Sequence, residues 1–161
     1  MQLFKLKKII IYWVIAMIFG ASQTWAEPAP YVINLAEQRI PLSSFKGSWI
    51  FINYWASWCE PCVEEIVQFN RFYAANHAHQ IKVFGVNQDG VSLEAQKQLV
   101  KKFDLRYPSL DPQSIKTLHL RQLSVVPVTY VLNPAGGLHA ILYGGQTVQD
   151  FNEAMKSKSD L

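Results

Sequence analysis

Cysteine is scarce in this 161-residue chain, and both copies fall in one stretch, Trp55-Ala56-Ser57-Trp58-Cys59-Glu60-Pro61-Cys62. Two thiols three positions apart can close a structural loop, hold a soft metal such as Cu(I), or carry electrons by opening and closing a disulfide. As a staple the pair is poorly placed, because a bridge across so short a loop removes little entropy from the unfolded chain. The histidines, His77, His79, His119 and His139, are scattered and complete no metal site with it. That leaves a redox-active dithiol, with a module that binds or transfers Cu(I) through the same two sulfurs as the alternative.

Exchange proceeds through a thiolate. Cys59 stands at the start of an expected helix, where unpaired N–H groups and the helix dipole favour negative charge, so it is the attacking sulfur. Cys62, one turn further in and more buried, resolves the mixed disulfide. Glu60 has two readings: an ordinary exposed acid in a first turn, or a carboxylate that opposes the Cys59 thiolate and makes the couple more reducing.

The flanking residues read as the strand-to-helix junction such a pair needs. Trp49 to Trp55 is nearly all apolar and aromatic, without a period, which suits a central strand buried on both faces. From Pro61 a helix is expected, since proline is tolerated in a first turn and Val63, Ile66, Val67, Phe69 and Tyr73 recur at helical spacing. Upstream, Tyr31 to Gly47 reads as a hairpin or extended lead-in anchored by Leu42 and Phe45. Downstream, Ile81 to Val86 is a second buried strand, and Ser92 caps a helix bearing Leu99, Val100 and Phe103. Tyr107 to Leu110 is a short extended piece, and Asp111 before Pro112 starts a further helix bearing Ile115 and Leu118. Val128 to Leu132 and Leu138 to Tyr143 are strands joined by the turn Asn133-Pro134-Ala135-Gly136-Gly137. Thr147 and Asp150 form a capping-box pattern before Phe151, Ala154 and Met155. Alternating strands and helices, closed by a hairpin and a helix, predict an α/β sandwich with a mixed sheet.

Residues 1–26 are expected to lie outside that fold. Lys5, Lys7 and Lys8 precede the uncharged apolar run Ile9 to Ala21, and Thr24-Trp25-Ala26 offers a cleavage point, the order of a secretory signal peptide. The run is short for a membrane span of about 20 residues, so an uncleaved anchor is the lesser alternative to an exported or periplasmic domain over 27–161. The net charge of +3 resides in this leader: taking its three lysines from the 15 basic residues leaves 12 against 12 acidic ones. A neutral domain without a long basic stretch excludes counterion-driven nucleic-acid binding. No nucleotide-binding glycine motif is present, so the electron donor is expected to be another exported or membrane thiol protein, and the domain a monomer.

The sequence resembles the thioredoxin superfamily, and within it the TlpA/ResA-like exported thiol-disulfide oxidoreductases, the group that includes the DsbE/CcmG type. The similar stretches are Leu42 to Gly47, Asn53 to Cys62 with Glu65, Gly85-Val86-Asn87, Tyr107 to Asp111, and Val126-Pro127-Val128-Thr129. The resemblance implies a thioredoxin-like three-layer sandwich, a mixed central sheet flanked by helices, with Ser92 to Leu110 as an added helix-and-strand insertion. Pro127 follows Cys62 by 65 positions, too few for the helical domain of a DsbA-type oxidase. It also implies reduction of disulfides in partner proteins, no cofactor beyond a Cys59–Cys62 disulfide, and supporting roles for Trp58, Glu60, Pro61, Glu65 and Pro127. Pro127 matches the family's cis-proline, which presents backbone groups to an incoming peptide strand and shields the cysteines from metal. Trp58 would shape access, while Trp55 reads as core. Asn53 matches the position of thioredoxin's buried acid, yet an amide cannot take a proton from Cys62, and its ordinary reading is a core amide bonded to backbone. Glu65, which matches a family glutamate, and Asp89 are the acids left for that task, each with a plain surface charge as its ordinary reading. Val67 stands where the family often has a helix-kinking proline.

Overall fold

Seven consecutive residues with one amide among apolar and aromatic side chains need cover on both faces, and Trp49–Trp55 finds it as β3, the middle strand of a five-stranded sheet. The computed structural model of the protein describes residues 29–76, 80–120 and 124–157; the leader 1–26, His77 and His79 lie outside them. The strands are β1 (Tyr31–Ile33), β2 (Arg39–Pro41), β3, β4 (Ile81–Asn87), β5 (Ser109–Leu110), β6 (Val128–Leu132) and β7 (Leu138–Tyr143). The helices are α1 (Glu60–Asn76), α2 (Leu93–Lys102) and α3 (Val148–Ala154). The sheet runs β5-β4-β3-β6-β7, with β3, β4 and β5 parallel and β6 and β7 antiparallel to their neighbours. This is the mixed α/β sandwich the sequence predicts.

Alternation along β3 divides the core in two. Phe51 and Trp55 face α1, where they meet Ile66, Phe69, Phe72 and, from α3, Phe151; Leu99, Val100 and Phe103 at the end of α2 pack against the same cluster. Ile50 and Ile52 face the other way, toward Val32, Phe45, Phe84, Leu110, Ile115 and Tyr130. That second face is covered by the β1–β2 hairpin and two 3-10 turns, Leu42–Phe45 and Ser114–Leu118. The helix expected after Pro112 is therefore a single 3-10 turn. Ser114 is tied to β1, its Oγ accepting from the Ile33 N–H at 2.9 Å, and His119 ends the turn at φ 53°. Ile115 and Leu118 still point inward. The hairpin also closes the β5 edge, through Leu35 N–H to Ser109 O and Asp111 N–H to Ile33 O.

The caps form as expected: Ser92 Oγ accepts from the Ala95 N–H, and Thr147 and Asp150 exchange side-chain and backbone bonds. The inward stripe of α1 differs from the apolar pattern of its sequence. Cys62, Glu65, Ile66, Phe69 and Phe72 are buried, whereas Val67 is 49% exposed. A hydrophobicity pattern passes over the cysteine and the glutamate, and so sets the helix face one residue off toward Val67 and Tyr73.

Burial separates the two positions energetically. Phe72 is fully buried, edge-on to Phe51 at 5.0 Å and tilted on Phe151 at 5.1 Å. Phe72→Ala is expected to lower the unfolding free energy by about 3–5 kcal/mol, and Val67→Ala to change it by less than about 0.5 kcal/mol. Urea unfolding monitored by circular dichroism measures both, and equal losses would contradict this rotation of α1.

Candidate active site

β3 ends at Trp55 and α1 begins at Glu60, so Ala56 to Cys59 make the turn between the carboxyl end of the middle strand and a helix N-terminus. Cys59 closes that turn, its N–H donating to Ala56 O at 3.2 Å. Its Sγ accepts the Cys62 N–H at 3.3 Å, a first-turn amide that also donates to Cys59 O at 3.1 Å. The two cysteines are joined as a disulfide with Cα atoms 5.2 Å apart. Cys62 has no exposed surface and Cys59 very little, so the exposed group at the helix entrance is Trp58, at 72%. Glu60 and Pro61 are exposed beside it, and Trp55 is core.

The turn is held from the β4–α2 loop by Asp89. Its carboxylate accepts from the Ser57 N–H at 3.0 Å, from Ser57 Oγ–H at 2.9 Å, and from the Asn87 side-chain amide. Asp89 is thus committed to the turn, and no contact joins it to Cys62.

Glu65 lies one turn beyond Cys62 on the buried face of α1 and is 2% exposed. The surface-charge reading is corrected: the carboxyl is buried, and a backbone donor and an amide donor approach it. Oε1 accepts from the Gln146 N–H at 3.0 Å and Oε2 from Asn53 Nδ2 at 2.7 Å. Burial pushes its pKa up to about 8, outweighing the downward pull of those two hydrogen bonds. Asn53, read as a backbone-bonded amide, instead bonds side chains. Besides Glu65 it donates to Thr129 Oγ1 at 3.4 Å and accepts from the Tyr107 hydroxyl at 3.3 Å. Burial, then the nearby Glu65 charge, raises the Tyr107 pKa well above its ordinary value, so the phenol keeps its proton.

The Val126–Pro127 peptide is cis and Pro127 is buried. Pro127 O accepts from the Gly144 N–H at 3.0 Å, and Gly145 lies against Pro61 O, so the β7–α3 loop bridges the proline loop to the start of α1. Gly144 holds a φ of 78°, a conformation that favours glycine. Among the histidines, His119 is exposed, and His139 is buried against Trp49 with Nε2 3.0 Å from Ala154 O. Among the described residues no three His, Cys, Asp or Glu side chains stand close enough to hold a metal ion, and no helix is long and apolar enough to cross a membrane. Sequence reasoning missed Tyr107, Thr129 and Gln146. The one available signal was Asn53, a polar residue in a strand that is otherwise apolar, which must bond something.

A model of the AhpC/TSA family matches residues 24–141. Among curated relatives, the thiol-disulfide oxidoreductase ResA of Bacillus subtilis is 28% identical over 118 residues, covering 73% of this chain and 65% of its own. The ResA of Bacillus thuringiensis subsp. konkukian is 26% identical over 125 residues, 78% of this chain and 72% of its own. Among solved structures, StoA from Bacillus subtilis aligns with a TM-score of 0.65 at 23% identity over 79% of this chain and 98% of that one. A secreted thiol-disulfide isomerase from Corynebacterium glutamicum aligns at 0.66 and 23% identity over 85% and 93%. These structures share the fold.

The buried carboxyl makes stability depend on pH. Folded, Glu65 releases its proton near pH 8; unfolded, near its ordinary 4.5. Below 4.5 both states hold the proton. Between 4.5 and 8 the unfolded chain binds fewer protons than the native one, so native stability falls as pH rises, by up to about 1.4 kcal/mol per pH unit. Glu65→Gln removes this component. Denaturant unfolding from pH 5 to 8 is expected to show the variant gaining on wild type as pH rises, and a pH-independent difference would contradict the buried acid.

Proposed function

This chain belongs to the AhpC/TSA family, and on that footing we propose that it is exported and reduces disulfides of partner proteins through Cys59 and Cys62. In its general form the chemistry is thiol–disulfide exchange, the activity named in the ResA relatives. The observation that carries the reading is the placement of the pair: two sulfurs in bonding distance at a helix N-terminus, one of them accepting a helix N–H. A donor aimed at the sulfur favours the thiolate once the disulfide is opened.

In the reduced protein the Cys59 thiolate attacks one sulfur of the partner disulfide. A Cys59–partner bond forms, the partner's S–S bond breaks, and its second sulfur leaves as a thiolate. Cys62 then gives its proton to the Glu65 carboxylate and attacks Cys59 Sγ. The mixed disulfide breaks, the partner's remaining sulfur leaves as a thiolate, and two electrons have passed to the partner. The protein is left with its Cys59–Cys62 disulfide, which an exported or membrane thiol protein reopens by the same exchange in reverse. Glu65 suits the proton step because its pKa, about 8, lies close to the ordinary value of a thiol. Pro127, Pro61 and Trp58 frame the site: the proline loop presents backbone to the incoming strand, and the exposed indole meets the partner beside Cys59. Export rests on the layout of residues 1–26, and the domain acts as a monomer.

The Cys62→Ser variant, expressed with its leader, is expected to start near Glu27 in the exported fraction and to accumulate mixed disulfides with partner proteins. Cys59→Ser should accumulate none. Non-reducing gels, mass spectrometry and amino-terminal sequencing read these outcomes; mixed disulfides on Cys62 in the Cys59→Ser protein would reverse the roles, and retention of residue 1 in a membrane fraction would mean an anchor.

Glu60 is proposed to set the poise. Its exposed charge next to Cys59 disfavours the thiolate, and with it the reduced form. Glu60→Gly is therefore expected to make the reduction potential less negative by about 10–20 mV, the scale of a solvent-screened charge pair. Equilibration with dithiothreitol, followed by tryptophan fluorescence, measures the shift; a more negative potential would contradict the role.

A further inference from the structure

One row of side chains crosses four strands on the α1 face of the sheet. Thr129 of β6 is paired in register with Asn53 of β3, Asn53 with Gly85 of β4, and Gly85 with Ser109 of β5. Glycine leaves a gap in this row, and Tyr107 fills it. A side chain begun at Gly85 would meet Tyr107 Cε2 at 3.2 Å and Ser109 Oγ at 3.3 Å. Ser109 is 8% exposed, and its hydroxyl is one of the buried polar atoms without a hydrogen-bond partner among the described residues. A buried hydroxyl left unpaired beside a tyrosine that already bonds the active-site amide calls for an explanation.

The observed bonds suit an ionised Glu65. Both carboxylate oxygens accept, from Gln146 N–H and Asn53 Nδ2, and Asn53 Oδ1 in turn accepts the Tyr107 hydroxyl. A protonated Glu65 becomes a donor, which that arrangement cannot receive at Oε2. Turning the Asn53 amide over resolves the conflict. Its oxygen then accepts the Glu65 proton, its NH2 donates to the tyrosine oxygen, and the tyrosine O–H needs a new acceptor. Ser109 Oγ, the unpaired buried hydroxyl that stands with the tyrosine ring over Gly85, is the free group beside that ring.

We propose that Asn53, Tyr107 and Ser109 form a reversible hydrogen-bond relay in which the direction of the bonds follows the charge on Glu65, so that Ser109 stabilises only the protonated acid. The inference rests on the reading of Glu65 as the acceptor of the Cys62 proton and adds three positioning residues to it. No proton leaves through the row, since each hydroxyl and amide keeps its own hydrogens. Around Glu65 stand Asn53 from β3, Thr129 from β6, Tyr107 from the segment before β5, the Gln146 N–H from the β7–α3 loop, and Cys62 on α1. Of these only Tyr107 and Cys62 titrate, and in the disulfide form Cys62 is silent. With Glu65 near pH 8 and Tyr107 held neutral, both bond directions are populated close to neutrality.

The test is the carboxyl 13C titration of Glu65 in the oxidised protein, its resonance identified by loss in Glu65→Gln. Ser109→Ala removes a partner of the acid form and relieves an unpaired group in the ionised form, so both effects lower the midpoint. The expected fall is roughly half to one pH unit, the size of one neutral hydrogen bond. In a Tyr107→Phe background the same serine change is expected to do nothing further, because its link to Asn53 is gone. Both variants delete a hydroxyl and keep the packing. A midpoint that stays or rises in Ser109→Ala overturns the relay, as does a serine shift that survives at half its size or more in the phenylalanine background. With no thiol present the oxidised protein performs no exchange, so this result stands apart from whether Glu65 takes the Cys62 proton, which the pH dependence of mixed-disulfide resolution decides.

Discussion

A carboxyl group walled into an apolar core must either keep its proton or be surrounded by donors, because an unsolvated charge there is costly. Glu65 is poised between the two conditions, and the arrangement of the site follows from it. β3 has to carry an amide at Asn53, the one interruption of its apolar run, to reach Oε2. The β7–α3 loop has to bring the Gln146 N–H to Oε1. With only those two donors, burial still wins, and the acid stays partly protonated at neutral pH. A surface glutamate would be fully ionised and a poor match to a thiol's proton.

The two influences on Cys59 pull in opposite directions and differ in strength. The helix N-terminus acts through a direct contact, the Cys62 N–H on the sulfur, in a site with little solvent. Hydrogen bonds to a charged acceptor contribute about 1.5–3 kcal/mol. Glu60 acts from an exposed position, where a charge pair is worth at most about 1 kcal/mol. The helix therefore decides that Cys59 is the proposed nucleophile, and Glu60 can only trim its readiness. Asp89 contributes to neither effect directly. It fixes the turn by taking hydrogen bonds from three donors, the Ser57 N–H, the Ser57 hydroxyl and the Asn87 amide, a task no neutral amide could perform with all three.

The insertion between β4 and β6 is more than an edge extension of the sheet. Its last residues return to the sheet with Tyr107 lodged over bare Gly85 and reaching Asn53, which links the added strand to the acid beneath the disulfide. Any side chain larger than hydrogen at Gly85 would push Leu105, Tyr107 and Ser109 away at once. The hairpin β1–β2 then closes the outer side of that strand, so the polar row ends at the buried Ser109 hydroxyl.

The sequence by itself determined the local features: the strand at Trp49–Trp55, the Cys-Glu-Pro-Cys junction, the caps at Ser92 and Thr147, and the closing hairpin. Each is set by contiguous residues whose propensities and patterns agree, so little depends on the rest of the chain. The tertiary structure decided what distance along the chain conceals. Glu65 looks like any helical surface acid until the rotation of α1 turns it inward with Phe72 and turns Val67 out. Asn53 finds Tyr107 54 residues away only because register places β3 beside β4 and β4 beside β5. The turn after Pro112 shortens to 3-10 form because Ser114 is held by β1, a partner 81 residues distant. Periodicity reports which residues are apolar, whereas burial of a polar group is settled by the donors that other segments bring to it, and those are specified only when the sheet is assembled.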